Sequence, residues 1–137
     1  MAASTELIRN VPLFADLDKR TLQELASSMK ERTFDAGHTV ATEGQTGVGF
    51  FIIDDGEAAV SVQGQERATL KHGDYFGEIA LIDDGARTAT ITAKTELRCF
   101  GITAWEFRPM VEQNADLAWK MLQVMAKMLR AAEKRTA

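Results

Sequence analysis

The chain of 137 residues has a single cysteine, Cys99, so no internal disulfide can form and the sequence suits a reducing compartment; the cytoplasm is the expected location. Basic residues are not in excess: 16 Lys and Arg against 20 Asp and Glu leave a formal net charge of -4. Without a broad positive field, direct binding of DNA or RNA is disfavoured, and any anion must be held by a local site. No stretch approaches the roughly 18 uninterrupted apolar residues that span a bilayer. The opening "MAASTELIRNVPLF" also lacks a positive cluster followed by a long apolar run. Membrane insertion and secretion are therefore not expected. Histidine is scarce, with His38 and His72 far apart in turn-like contexts. A cupin-type metal enzyme needs several converging His and carboxylate ligands, which leaves it the weakest alternative, and no metal or cofactor is expected. No Ser or Cys lies in a nucleophile elbow, and Cys99 falls in an apparent strand, "ELRCF", so no catalytic residue is assigned.

Glycine is absent from both ends. All ten glycines lie between Gly37 and Gly101, while Pro12 and Pro109 lie outside that window. Glycine serves tight turns and weakens helix interiors, so the middle should be turn-rich β-structure and the ends helical. One domain over 1–137 is expected: N-terminal helices in 1–36, a β-roll in 37–101, and hinge and lid helices in 102–137. In the middle, "FFII", "EAAVSV", "RATLK" and "TATITA" alternate with turn signals. Six to eight short strands in about 65 residues suggest an α+β domain built on a small antiparallel barrel or jelly roll. At the ends, "TELIRN" is stopped by Pro12, Asp18 is placed to cap "KRTLQELASS", and Thr103 with Glu106 forms a candidate capping box. Pro109 must shorten or kink the helix that the box opens.

The last helix, from about Asn114 to near Lys134, carries one narrow polar stripe: Lys120, Gln123, Lys127, Arg130 and Lys134. Trp119, Met121, Leu122, Val124, Met125, Met128 and Leu129 make an apolar arc wider than one contact face requires. The second surface would meet a symmetry mate, making a homodimer, or an effector, or would act as a movable lid. The plainer alternative is a core helix enclosed by the N-terminal helices.

The chemistry concentrates in "FGEIALIDDGARTATI", Phe76 to Ile91. Gly77 gives a tight entry, Glu78 a carboxylate, and Ile79 to Ile82 length for one helical turn before Asp83-Asp84-Gly85 breaks the chain. A short helix start exposes amides suited to phosphate, small Ala80 lets a ligand approach, and the Arg87 guanidinium can hold two phosphate oxygens. Glu78 beside an anion seat needs another task, and accepting from sugar hydroxyls is the natural one. The competing reading is a surface ion pair between Glu78 and Arg87 stapling a loop.

In element order and in this stretch the chain resembles the cyclic-nucleotide-binding domain family, which includes regulatory subunits of cyclic-AMP-dependent kinase, cyclic-nucleotide-gated channels and bacterial catabolite activator proteins. Phe76, Gly77, Glu78, Ala80 and Leu81, then Arg87, Thr88 and Ala89, match its phosphate-binding cassette, here 76–89. Ala86 stands where many members have proline. The resemblance implies a binding site at Gly77, Glu78, Ile79, Ala80, Leu81, Arg87, Thr88 and Ala89. Glu78 would accept from the ribose 2'-hydroxyl and Arg87 would neutralise the cyclic phosphate. The amides of Ala80 and Leu81 would complete the phosphate seat, with the Thr88 hydroxyl and amide beside it and the last helix as lid over the base. It also implies a non-enzymatic sensor of cyclic AMP, with cyclic GMP as the second ligand to consider. A module of the same fold without a ligand is the remaining alternative.

Overall fold

The computed structural model describes residues 3–46, 49–83 and 85–136; Asp84 of the expected chain break lies outside them. Two short helical pieces and a longer helix lead: α1 (Thr5–Arg9), a 3-10 turn at Pro12–Phe14, and α2 (Lys19–Ser28). Eight strands follow: β1 (Lys30–Phe34), β2 (Thr39–Ala41), β3 (Gly49–Asp55), β4 (Ala58–Val62), β5 (Gln65–Leu70), β6 (Tyr75–Phe76), β7 (Thr90–Ala93) and β8 (Leu97–Thr103). The chain closes with α3 (Ala104–Glu112) and α4 (Ala115–Thr136). The strands form two antiparallel four-stranded sheets, ordered β1-β8-β3-β6 and β2-β7-β4-β5. The roll is therefore a sandwich of two open sheets, not a closed barrel.

One strand falls where only helices are expected. β1 lies in the glycine-free N-terminal part, before Gly37, and pairs along its whole length with β8, from Lys30↔Gly101 to Phe34↔Leu97. Its sequence, Lys-Glu-Arg-Thr-Phe, is mostly exposed. It is an edge strand, blunted by charge as edges commonly are, so it shows no run of apolar β-formers. At the other boundary β8 continues to Thr103, which then becomes the N-cap of α3.

The helix starts follow their caps. Asp18 Oδ1 accepts from the Thr21 amide at 2.8 Å. The Thr103 hydroxyl accepts from the Glu106 amide at 3.3 Å, while Glu106 Oε1 accepts from the Thr103 amide at 3.1 Å. Asn114 Oδ1 accepts from the Leu117 amide at 3.1 Å and so opens α4. α3 passes through Pro109 and stops at Glu112, three residues later, so the proline shortens the helix without ending it at once.

Two hydrophobic clusters hold the fold. The sandwich interior is built from Ile53, Ala58, Phe76, Ile91, Ala93, Leu97 and Cys99. On the other face of the β1-β8-β3-β6 sheet, Phe50, Ile52, Phe100 and Ile102 pack with residues of the helical parts, Phe14 and Phe107 among them. Alternation along β3 explains the split, since successive side chains of Phe50, Phe51, Ile52 and Ile53 point to opposite faces. Phe14 is the hinge of the second cluster: its ring meets Phe50 at 5.6 Å and Phe107 at 5.9 Å, both edge-on.

α4 buries only one narrow face, through Leu117, Met121 and Val124, while Trp119 is 61%, Leu122 56% and Leu129 62% exposed. The N-terminal helices do not enclose it. The surplus apolar arc is on the surface.

Candidate functional site

The chain between β6 and β7, residues 77–89, passes from one sheet to the other. Gly77 begins it at φ +87°, a conformation that side-chain-bearing residues rarely adopt. A Cβ there would also fall on Arg87 Nη1 and on the Gly49 carbonyl oxygen. The glycine is thus required by both backbone and contact. The expected helical turn is a single 3-10 turn, Ile79–Leu81. It consumes the amides of Ala80, which donates to Gly77 O at 3.1 Å, and Leu81, which donates to Glu78 O at 3.3 Å. Asp83 then closes the turn by donating to Ile79 O at 2.8 Å, and its carboxylate accepts from the Gly85 amide at 3.1 Å.

The returning arm is clamped to the turn after β2. Ala86 bridges Thr46, the Arg87 amide donates to Gln45 O at 2.8 Å, and the Gly44 amide donates to Arg87 O at 2.9 Å. Its side chain is held as well: Arg87 Nη2 donates to the Gly49 carbonyl at the start of β3. Arg87 Nε is buried and has no hydrogen-bond partner among the described residues. Burial pulls the guanidinium below its ordinary value, opposed by the nearby Glu78 charge.

Glu78 is half-buried, and burial pushes its carboxyl above the usual range; the amides of Ile79 and Glu78 and the charge on Arg87 oppose that shift. Yet none of the ion pairs among the described residues includes Glu78 or Arg87. They influence one another electrostatically without touching. A surface staple would be exposed and paired, so the ion-pair reading fails.

Gly77, Glu78, Ile79, Ala80, Arg87, Thr88 and Ala89 line one cavity of about 230 Å³. Leu81 does not join them: it is buried in the helical cluster with Phe107, Leu117 and Met121. The same cavity takes in Ala41, Phe76, Asp83, Gly85, Ala86 and Ile91, and no residue of α4. Gly49 is the functional position that sequence reasoning missed. Its contribution is a main-chain carbonyl 38 residues from Arg87, and the only sequence signal is a glycine inside a strand, which marks close backbone approach.

The sequence model of the cyclic nucleotide-binding domain matches residues 31–114. The chain belongs to this family. Two cAMP-dependent protein kinase regulatory subunits are similar to it: that of Yarrowia lipolytica is 42% identical over 93 residues, covering 66% of this chain and 25% of its own length. That of Schizosaccharomyces pombe is 42% identical over 112 residues, covering 81% of this chain and 27% of its own. The cyclic nucleotide-binding domain described here thus spans about a quarter of those relatives. Among solved structures it resembles the N-terminal domain of a transcriptional regulator from Streptomyces coelicolor A3(2), with a TM-score of 0.84 at 31% identity over 94% of this chain and 93% of that one. The Thermus thermophilus catabolite activator protein shares the fold, with a TM-score of 0.73 at 24% identity over 91% of this chain and 61% of that one.

Proposed function

We propose that the chain is a non-enzymatic sensor that binds cyclic AMP at the 76–89 cassette and passes the signal through α4. Arg87 carries the proposal. It is a half-buried cation with no carboxylate in contact, positioned by the Gly49 carbonyl and left with one buried N–H unpaired. A desolvated guanidinium in that state is stabilised by an anion that presents two oxygens to its planar fork, and the two non-bridging oxygens of a cyclic phosphate can do so. Glu78, kept clear of ion pairing, accepts from the ribose 2'-hydroxyl, and Thr88 adds its hydroxyl. The amides of Ala80 and Leu81 are taken by the turn and those of Glu78 and Ile79 face the Glu78 carboxylate, so the Arg87 guanidinium is the principal phosphate ligand. The relatives' names specify cAMP, which favours cyclic AMP over cyclic GMP here.

Ligand sites commonly measure about 300–1,000 Å³, and the cassette cavity, at about 230 Å³, is smaller. It suits the phosphate and sugar, while the base extends beyond it to where α4 can close. The turn is already wired to the helices: Leu81 lies in their core, and Ile82 lines a groove with Trp105, Phe107 and Met121. Ordering of the cassette by ligand shifts Leu81 and Ile82 against α3 and α4, and the lid position with the higher ligand affinity gains population. The partner that receives the signal is a second copy or an effector protein docking on α4. A ligand-free module of this fold would have little use for Arg87 as it stands.

Thermal unfolding in the presence of cyclic AMP, cyclic GMP and 5'-AMP tests the reading. At about 100 times its dissociation constant, a ligand adds roughly 2.7 kcal/mol to the folded state. Cyclic AMP should give this shift in wild type and none in Arg87→Ala. If neither cyclic nucleotide stabilises wild type at millimolar concentration, the sensor assignment is wrong.

A further inference from the structure

A second cavity, of about 520 Å³, opens on the other side of Arg87. It is bounded by β1, β3 and β8 on one side and by β2 with its following turn on the other. It shares only Ala41 and Arg87 with the cassette cavity. Its floor is apolar, formed by Phe34, Phe51 and Gly101, and Phe51 lies so close over Gly101 that a Cβ there would strike its ring.

The rim is cationic. Lys30 and Arg32 stand two apart on β1 and so project from the same face, with Arg87 entering from the opposite wall. Glu106 is the carboxylate in this lining, and it is committed elsewhere. Its Oε1 accepts from the Thr103 hydroxyl at 2.7 Å and the Thr103 amide at 3.1 Å, and its Oε2 lies 3.5 Å from Lys30. Arg32 belongs to none of the ion pairs among the described residues. Three cations against one carboxylate leave a local excess of two positive charges, in a chain whose net charge is -4. A concave site with low-dielectric walls and charge of one sign focuses its field on a counter-ion.

We propose that this cavity is a second ligand site, taking a small multivalent anion with carboxylate or phosphate groups, held by Arg32 and Lys30 at the rim and reaching the rear of Arg87. Guanidinium groups prefer such bidentate oxygen acceptors, and the apolar floor accommodates the carbon skeleton of an organic anion. The site needs no nucleotide at the cassette, although the two cavities share Arg87.

The test is an NMR titration of the whole chain with citrate and, separately, with pyrophosphate, at physiological salt and without nucleotide. Saturable shifts are expected at the amides of Arg32, Gly101 and Thr103 and at the Trp105 indole, with the Gly77–Leu81 amides moving less. Arg32→Glu should weaken binding at least about tenfold, the cost of one charge-assisted contact. Arg32 is exposed, so its fold should survive, and Arg32→Gln is the milder second variant. Response to citrate alone assigns a carboxylate ligand, and response to pyrophosphate alone a phosphate ligand. Shifts that never saturate with either probe, or equal affinity in both variants and wild type, overturn the site. Because no nucleotide is present, such a failure leaves the cassette assignment standing.

Discussion

Burial holds the Glu78 carboxyl above its usual range, ahead of the opposing effects of two backbone amides and Arg87. A raised folded-state value means that the folded protein binds this proton more tightly than the unfolded chain does. The penalty of the buried charge is absent below the unfolded value, grows as pH rises through the window above it, and is complete above the folded value. Glu78→Gln removes that penalty, so ligand-free melting temperatures of variant and wild type should coincide near pH 4 and diverge at pH 7, with the variant higher. Its response to cyclic AMP should nevertheless weaken, because one strong acceptor for the ribose is lost. A wild type more stable than the variant at pH 7 without ligand would contradict this account. Gly77→Ala acts in the opposite sense: a positive φ imposed on alanine costs about 1–2 kcal/mol, and the methyl displaces the Arg87 guanidinium. Denaturant midpoint and nucleotide response should both fall. Cys99 is fully buried, and burial pushes its thiol up to about 12. Thiol reagents should modify it only as fast as the protein opens. Residue chemistry singled out Glu78, Arg87 and Gly77, with a surface ion pair left open and the site set implied by the family resemblance, and the structure brings all three to one cavity. Gly49 was not singled out, because a carbonyl has no signature in the sequence.

Elements that announce themselves by caps were easily anticipated: Asp18 starts α2, and the Thr103–Glu106 box starts α3. Their side-chain signal is local, so tertiary context does not erase it. β1 gave no such signal, as its charged outer positions follow from its place at a sheet edge. The turn at Ile79–Leu81 was expected as a helix start, but its first amides close on Gly77 and Glu78, which tightens it to 3-10 geometry. Consequently the phosphate donors expected at Ala80 and Leu81 are already occupied. The α3 cap also couples elements, since Thr103 ends β8, pairs with Gly49, and holds Glu106, which meets Lys30 of β1. Thr103→Ala should therefore lower stability by about 1 kcal/mol, the usual worth of an N-cap. Urea unfolding would show it as a lower midpoint at unchanged slope. A change below a few tenths of that value would mean that the strand pairing, not the cap, fixes the start of α3.

For the whole molecule, the decisive feature is an asymmetry between a well-filled interior and one uncovered helix face. α4 contributes Leu117, Met121 and Val124 to the core and leaves Trp119, Leu122, Met125, Met128 and Leu129 exposed. The excess apolar arc was legible from its spacing, but its placement was not, because periodicity gives the width of a face and says nothing of what covers it. Together with Ile79 and Ile82 of the cassette turn, Leu122, Met125, Met128 and Leu129 line one apolar groove reaching back to Glu78. Whatever covers this part of α4 therefore also touches the segment proposed to bind ligand, which is the arrangement the proposed switch requires. Contiguous exposed apolar surface of this kind favours association. Sedimentation of wild type should show self-association that depends on concentration and changes when cyclic AMP is added. Leu122→Glu with Leu129→Glu should give a monomer of unchanged far-ultraviolet spectrum, since both side chains are already solvated and neither is in the core. If wild type is a strict monomer with and without ligand, a second copy is excluded and an effector protein is the occupant of α4. If the double variant also fails to respond to cyclic AMP, the same face closes over the nucleotide within one chain, and the lid and the docking surface are one structure in two positions.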